Sequence, residues 1–200
     1  MELFTALRGR RSVRRFADRP VSRALLDDLL SCACLAPAPH HTRPWRFVVV
    51  GAQSRERLAG AMRARWRIDL ESDGVPEKRI RALLARSRAQ ICGAPGLLLA
   101  CLAPEGLRAW PDEARRRAEW LMAVQSTGAA LQNLLLAAHG RGLASFWISA
   151  PLFCPEAVRE ALGLPEGYMA QALAALGYPH ADASPPPRPE PDLGALVLER

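Results

Sequence analysis

Apolar residues fall into two kinds of run along this chain, and the spacing within each run separates helices from strands. Ser22 is a good N-cap residue, and after it Leu25, Leu26, Leu29, Leu30 and Ala33 share one helix face, stopping before Pro37. Glu2 to Arg8 reads as a short helix, whereas Gly9 to Pro20 carries five arginines and no apolar period. Ser54 is placed as the cap of a helix reaching about Asp69. After the turn Ser72-Asp73-Gly74 another helix begins near Pro76, whose missing N–H is harmless in a first turn. Asp112 opens the longest helix, which runs to His139 and stops at Gly140. Its second half, Ala129 to Ala138, is apolar almost all round and therefore belongs in the centre of a fold. Pro155 to Leu162 is a further short helix.

Four runs are short enough for strands: Trp45 to Val50, Leu97 to Leu102, Leu143 to Ile148 and Met169 to Leu176. Ala36 to Pro44, with its prolines and two histidines, is a loop. The ending SPPPRPEPDLGALVLER must run extended through its prolines, and a last strand is expected from Ala195 to Leu198. There is no internal repeat. The sum is an α+β fold, residues 1–200 as a single domain, with a central sheet covered by helices.

Composition supports one folded domain: of 200 residues, 50% are hydrophobic and 24% charged, too apolar for a disordered chain. The longest apolar stretch, Gly96 to Ala103, falls far short of the about 20 residues that cross a bilayer, so no membrane partner is expected. The start, MELFTALRGRRS, places its basic residues after a short amphipathic segment, the reverse of a secretion signal, and this fits a cytoplasmic protein. Cys32, Cys34, Cys92, Cys101 and Cys154 are odd in number and sit in apolar contexts, which reads as reduced core thiols. Cys32 and Cys34 point to different sides of a helix, so no metal is expected despite nearby His40 and His41.

Charge narrows the choice of ligand. The net charge is +7, and every basic residue except Lys78 is arginine, which favours anionic partners. No helix-turn-helix, zinc finger or aromatic-interleaved basic stripe supports nucleic acid. There is no Walker loop, Gly140-Arg141-Gly142 lacks the third glycine of a dinucleotide fingerprint, and no G-x-S-x-G elbow is present. What remains is Arg10-Arg11-Ser12-Val13-Arg14, where guanidinium forks and a hydroxyl can converge on a phosphate or form a plain basic surface turn.

In order along the chain, Arg-Arg-Ser-Val-Arg-Arg-Phe, Ala36-Pro37, Pro44-Trp45-Arg46-Phe47-Val48-Val49-Val50, Gly142-Leu143-Ala144-Ser145 and Gly177-Tyr178-Pro179, with Arg188 beyond, resemble the nitroreductase superfamily of flavin enzymes. The resemblance implies a mostly antiparallel sheet, a homodimer, FMN at the dimer interface, and a C-terminal arm (184–200) exchanged between subunits. It implies that Arg10, Arg11, Ser12, Arg14 and Arg188 grip the FMN phosphate. It also implies that the loop Pro37, Ala38, Pro39, His40, His41 reaches the flavin from the other subunit, and that Trp147, Ile148, Ser149 and Ala150 present a backbone N–H to flavin N5.

The loop Pro-Ala-Pro-His-His-Thr-Arg-Pro, with Arg63, Trp66-Arg67-x-Asp69-Leu70 and Ser72-Asp73-Gly74, further resembles the flavin domain of the two-domain actinobacterial enzyme of coenzyme F-420 biosynthesis. That implies reduction of the enolpyruvyl double bond of dehydro-F-420-0, an anionic substrate held by Arg43, Arg63, Trp66 and Arg67. His40 or His41 is a candidate proton donor, and each is equally a candidate to hold only its own loop. Trp45 reads as core, and Trp66 as the aromatic that meets a substrate ring. A general NAD(P)H-dependent nitroreductase or quinone reductase is the rival enzyme, and a flavin or deazaflavin carrier without turnover is a third reading.

Overall fold

The computed structural model describes residues 2–200. Its centre is a four-stranded sheet of order β1-β2-β4-β3, formed by β1 (Trp45–Val49), β2 (Gly96–Leu102), β3 (Ala144–Ile148) and β4 (Met169–Gly177), with each neighbouring pair antiparallel. All seven residues of β2 are buried, because helices cover both faces of the sheet. Leu97, Leu99 and Cys101 enter a core with Leu58 and Met62 of α3 (Ala52–Ser72), Ile91 of α4 (Glu77–Cys92) and Val158 of α6 (Pro155–Leu162). Leu98 and Ala100 enter the opposite core with Leu26 and Leu29 of α2 (Arg23–Ala33) and Leu131, Leu134 and Leu135 of α5 (Glu113–Gly140). Each fully buried leucine contributes about 1.5–3 kcal/mol relative to exposure. By length and composition α5 is apolar enough to cross a membrane; here it is the inner helix of this second core.

Two expectations are corrected. Ser54 does not cap α3: Gly51 is its N-cap, Ser54 lies one turn inside, and the helix runs on to Ser72. The expected last strand is absent, and Leu193–Leu196 form a helical turn, α7, in its place. The Asp192 carboxylate accepts from Gly194 N at 3.0 Å and closes that turn, and the segment pairs with no strand of the sheet.

The arginine-rich N-terminal segment follows α1 (Leu3–Gly9) and lies against the β3 side of the sheet. Ser12 pairs in parallel with Ser145, Val13 N donates to Ser145 O at 3.0 Å, and Ala17 N donates to Tyr178 O at 2.8 Å. Phe16 stacks on Phe146 with ring centroids 6.0 Å apart. A Cβ at Gly177 would sit 2.8 Å from both Phe16 and Pro95, so only glycine lets this segment dock.

Candidate active site

A cavity of about 670 Å³ opens beside the end of β3. Its α3 wall is Met62, Arg65, Trp66 and Asp69, whose spacing places them on one helix face. Its α4 wall is Leu83, Arg86, Ser87 and Gln90. Phe146, Trp147 and Ile148 of β3, then Ala150, Phe153 and Cys154, line the rest, with Asp73 at the turn after α3. Trp66 and Trp147 are each 37% exposed, so two aromatic surfaces line an open cleft. Arg14 stands at its edge, its guanidinium 5.4 Å from the centroid of Phe146.

The preceding residues of β3 line a second, smaller cavity of about 250 Å³. Ala144 and Ser145 meet Gly9, Arg10, Arg11, His139 and Gly142 there. Arg188 returns from the C-terminal segment to donate to Leu7 O at 3.3 Å and to Arg10 O, and Arg11 donates to Pro186 O. Burial lowers the Arg10 pKa, and the like charges of Arg188 and Arg11 lower it further. Burial, then Arg10, likewise lowers that of His139. Among the described residues, none of Arg10, Arg11, Arg14 and Arg188 has a carboxylate partner. A set of guanidinium groups held together against their mutual repulsion is matched by an anion such as a phosphate monoester.

These two features fit FMN. The counter-ion-free arginines suit its phosphate, and the aromatic cleft, within the usual size range of ligand pockets, suits its ring. Both lie along successive residues of β3. Ser149 and Ala150 follow that strand at the start of a 3-10 turn (Ala150–Phe153), where the first N–H groups have no acceptor within the turn.

The remaining candidates are distributed differently. Pro37, Ala38, Pro39, His40, His41 and Arg43 precede β1, at the opposite edge of the sheet from β3. Three strand spacings separate those edges, about 14 Å. His40, His41 and Arg43 adopt left-handed φ values of 53°, 56° and 46°, a costly conformation for side chains of this kind. The Arg108 guanidinium lies 3.5 Å from His40 Nδ1, and because it can only donate, that nitrogen is the acceptor. Arg108 N and Trp110 Nε1 donate to the Glu119 carboxylate at 3.2 and 3.1 Å, and Trp110 first, then Arg108, hold it below the usual carboxylate range. Trp45 is buried with Ala36 and Ala130.

On α3, Trp66 faces the cleft while Arg63 and Arg67 do not line it. Arg67 bonds Glu71 and Glu77, each at 3.0 Å, and Arg63 Nε is buried without a partner among the described residues. Sequence reasoning missed Arg65, Arg86, Ser87, Gln90 and Phe153. Extending the Met62-Trp66 periodicity to Arg65 and Asp69 finds the α3 members, whereas the α4 members need the hairpin packing.

The pattern of the nitroreductase family matches residues 7–178. The nitrobenzene nitroreductase of Ectopseudomonas oleovorans is 32% identical over 208 residues, covering 90% of this chain and 87% of the relative. A Desulfovibrio desulfuricans protein solved in complex with FMN matches with a TM-score of 0.75 at 27% identity, covering 100% of this chain and 97% of that one. The FMN and NADPH-dependent nitroreductase NfnB of Sphigopyxis sp. strain HMH shares the fold, with a TM-score of 0.74 at 24% identity, covering 100% and 99%. Since the family pattern spans the N-terminal arginines, the whole sheet and the cleft, the chain belongs to the nitroreductase family, whose members are FMN-dependent oxidoreductases.

Proposed function

We propose that this protein is a general reductase, taking two electrons from a reduced nicotinamide and delivering them to a nitroaromatic or quinone, and that it works as a homodimer. The observation that carries the reading is the continuity along β3 of a counter-ion-free arginine cluster and an open aromatic cleft. Bound FMN supplies the hydride acceptance and return; the chain supplies position and charge. Arg10, Arg11, Ser12 and Arg188 would hold the phosphate, Arg14 would offset negative charge on the reduced ring, and a backbone N–H at Ser149 or Ala150 would donate to it. Trp66 and Trp147, which line the cleft, would exclude water from a bound acceptor. For a nitro compound the balance is R–NO2 + NAD(P)H + H+ giving R–NO + NAD(P)+ + H2O. The proton is supplied through His40 or His41 of a second copy, because in one chain that loop lies at the wrong edge of the sheet. The exposed apolar side chains of Leu3, Phe4, Leu193, Leu196 and Leu198 give such a copy a surface to bury; because Pro186 and Arg188 bond this chain's own N-terminal segment, the exchanged part of the arm 184–200 is the stretch beyond Arg188.

The relatives favour this general activity over the dehydro-F-420-0 reductase expected from the loop motif. The arginines at the cleft, Arg14, Arg65 and Arg86, keep that anionic substrate as the second reading. The test is to purify the protein, measure flavin per subunit and mass in solution, and assay nitrobenzene and menadione with NADH and NADPH. In parallel, reduced protein is incubated anaerobically with dehydro-F-420-0 and the product weighed for a gain of two hydrogens. A yellow dimer that oxidises nicotinamide with nitrobenzene or menadione is expected. A flavin-loaded protein inert to both acceptors overturns the general reading, and turnover of the F-420 precursor alone establishes the second.

A further inference from the structure

We infer that the α4 side of the cleft is an anion subsite, selecting ring-bearing ligands that carry a carboxylate or phosphate, with Arg86 as its charge and Ser87 and Gln90 as its hydrogen-bonding partners. The inference rests on the reductase reading and names the substrate class of the same cleft.

The observation is a difference among arginines of one helix. On α4, Arg81 pairs with Glu77 at 3.7 Å and Arg88 with Glu56 at 2.5 Å. Arg79 and Arg86 have no ion-pair partner among the described residues, and of these two only Arg86, between Arg81 and Arg88, faces the cleft. The Arg65 guanidinium across the cleft is already satisfied by Asp69 at 2.5 Å. Asp73, the other carboxylate on the cleft, precedes the start of α4. Neither Asp69 nor Asp73 forms an ion pair with Arg86 among the described residues. Arg86 is therefore the one cleft cation on α4, and among the described residues no carboxylate lies within ion-pair distance of it. Ser87 and Gln90, one residue and one turn on, add side-chain donors that bond no protein group among the described residues. Trp66 and Phe153 supply apolar contact for a ring. A guanidinium fork flanked by a hydroxyl and an amide is suited to a planar oxyanion.

The anion can sit on the electron acceptor, as an aromatic carboxylate, or on the electron donor, as the 2′-phosphate of NADPH, and the test separates them. Binding of benzoate and benzamide to the FMN-loaded protein is measured by calorimetry, and KM is measured for 4-nitrobenzoate, 4-nitrobenzamide, NADPH and NADH. Wild type should prefer each acid to its amide. Arg86→Gln should weaken benzoate and raise the KM for 4-nitrobenzoate about tenfold while leaving the amides and the flavin content unchanged. Ser87→Ala should act in the same direction by less. A rise confined to NADPH, with NADH and both acids unmoved, keeps the subsite and assigns it to the donor. Equal effects on acid and amide, or none on any anionic ligand, overturn it. If wild type reduces neither nitro compound, the reductase reading fails while the benzoate titration still reads the subsite.

Discussion

The two main groups of arginines in this protein look alike in sequence and differ in what surrounds them. Along α3 and α4, Arg65, Arg67, Arg81 and Arg88 each meet a carboxylate, mostly one turn away or across the helical hairpin, and those that do not, such as Arg63, Arg79 and Arg86, are spread along the helices rather than gathered together. At the N-terminal segment, Arg10, Arg11 and Arg188 meet one another and backbone carbonyls. Paired arginines on a solvated face are worth little and hold nothing. Unpaired arginines kept close together store repulsion that a bound anion relieves. Whether a basic run is a site therefore depends on where its carboxylates are, and charge counts do not contain that.

The sharpest way to test this contrast is Arg10→Ala with Arg188→Ala. Two charge-assisted contacts of about 1.5–3 kcal/mol each predict a loss of FMN affinity of about a hundredfold or more. Riboflavin, which lacks the phosphate, should be barely affected, and equal weakening of both ligands would break the contrast. A smaller effect is expected at His139, which shares the small cavity with Arg10 and Arg11 and whose pKa in the fold is lowered by burial and then by Arg10. The neutral ring is favoured in the folded chain. Stability should thus be intact above the ordinary histidine value of about 6.5 and decline as pH falls below it, because the unfolded chain takes up the proton first. Urea midpoints of flavin-free protein at pH 7.5 and 5.5 should differ more for wild type than for His139→Gln; identical slopes would show that the cluster exerts no such field. The smallest effect belongs to the other group: Arg88→Ala, half exposed on its pair with Glu56, should change unfolding free energy by no more than about 1 kcal/mol and leave FMN affinity unmoved.

Much of the fold was legible because its signals are local. Leu25, Leu26 and Leu29 mark a helix face, Leu97 to Leu102 mark a doubly covered strand, and Pro155 and Gly163 bracket α6. The errors lie where a local signal competes with context. Ser54 is a good cap residue, yet the chain turns into α3 at Gly51. Ala195 to Leu198 are compatible with a strand, but the Asp192 cap sets a helical turn at Leu193–Leu196 and the segment pairs with no strand. The site was partly legible for the same reason. Arg10 to Arg14 are contiguous and stand out. Arg86 and Gln90 reach the cleft only because α4 folds back beside α3, and Arg63 and Arg67 are neighbours of Trp66 in sequence but lie off its cleft-facing side. The distance between the His40-His41 loop and the cleft follows from strand order, which no single segment encodes.

The pairing of Ser12 with Ser145 has a consequence for solubility. β3 is the outermost strand on its side, and an uncovered edge is a template on which other chains can add strands. The N-terminal segment lies across that edge with a parallel bridge at Ser12 and an N–H from Val13. The same residues flank the arginines that await an anion, so a ligand that orders them also keeps the edge covered. Flavin loss and aggregation are thereby linked: apo protein should be the form that self-associates on warming, and added FMN should protect it before any turnover takes place.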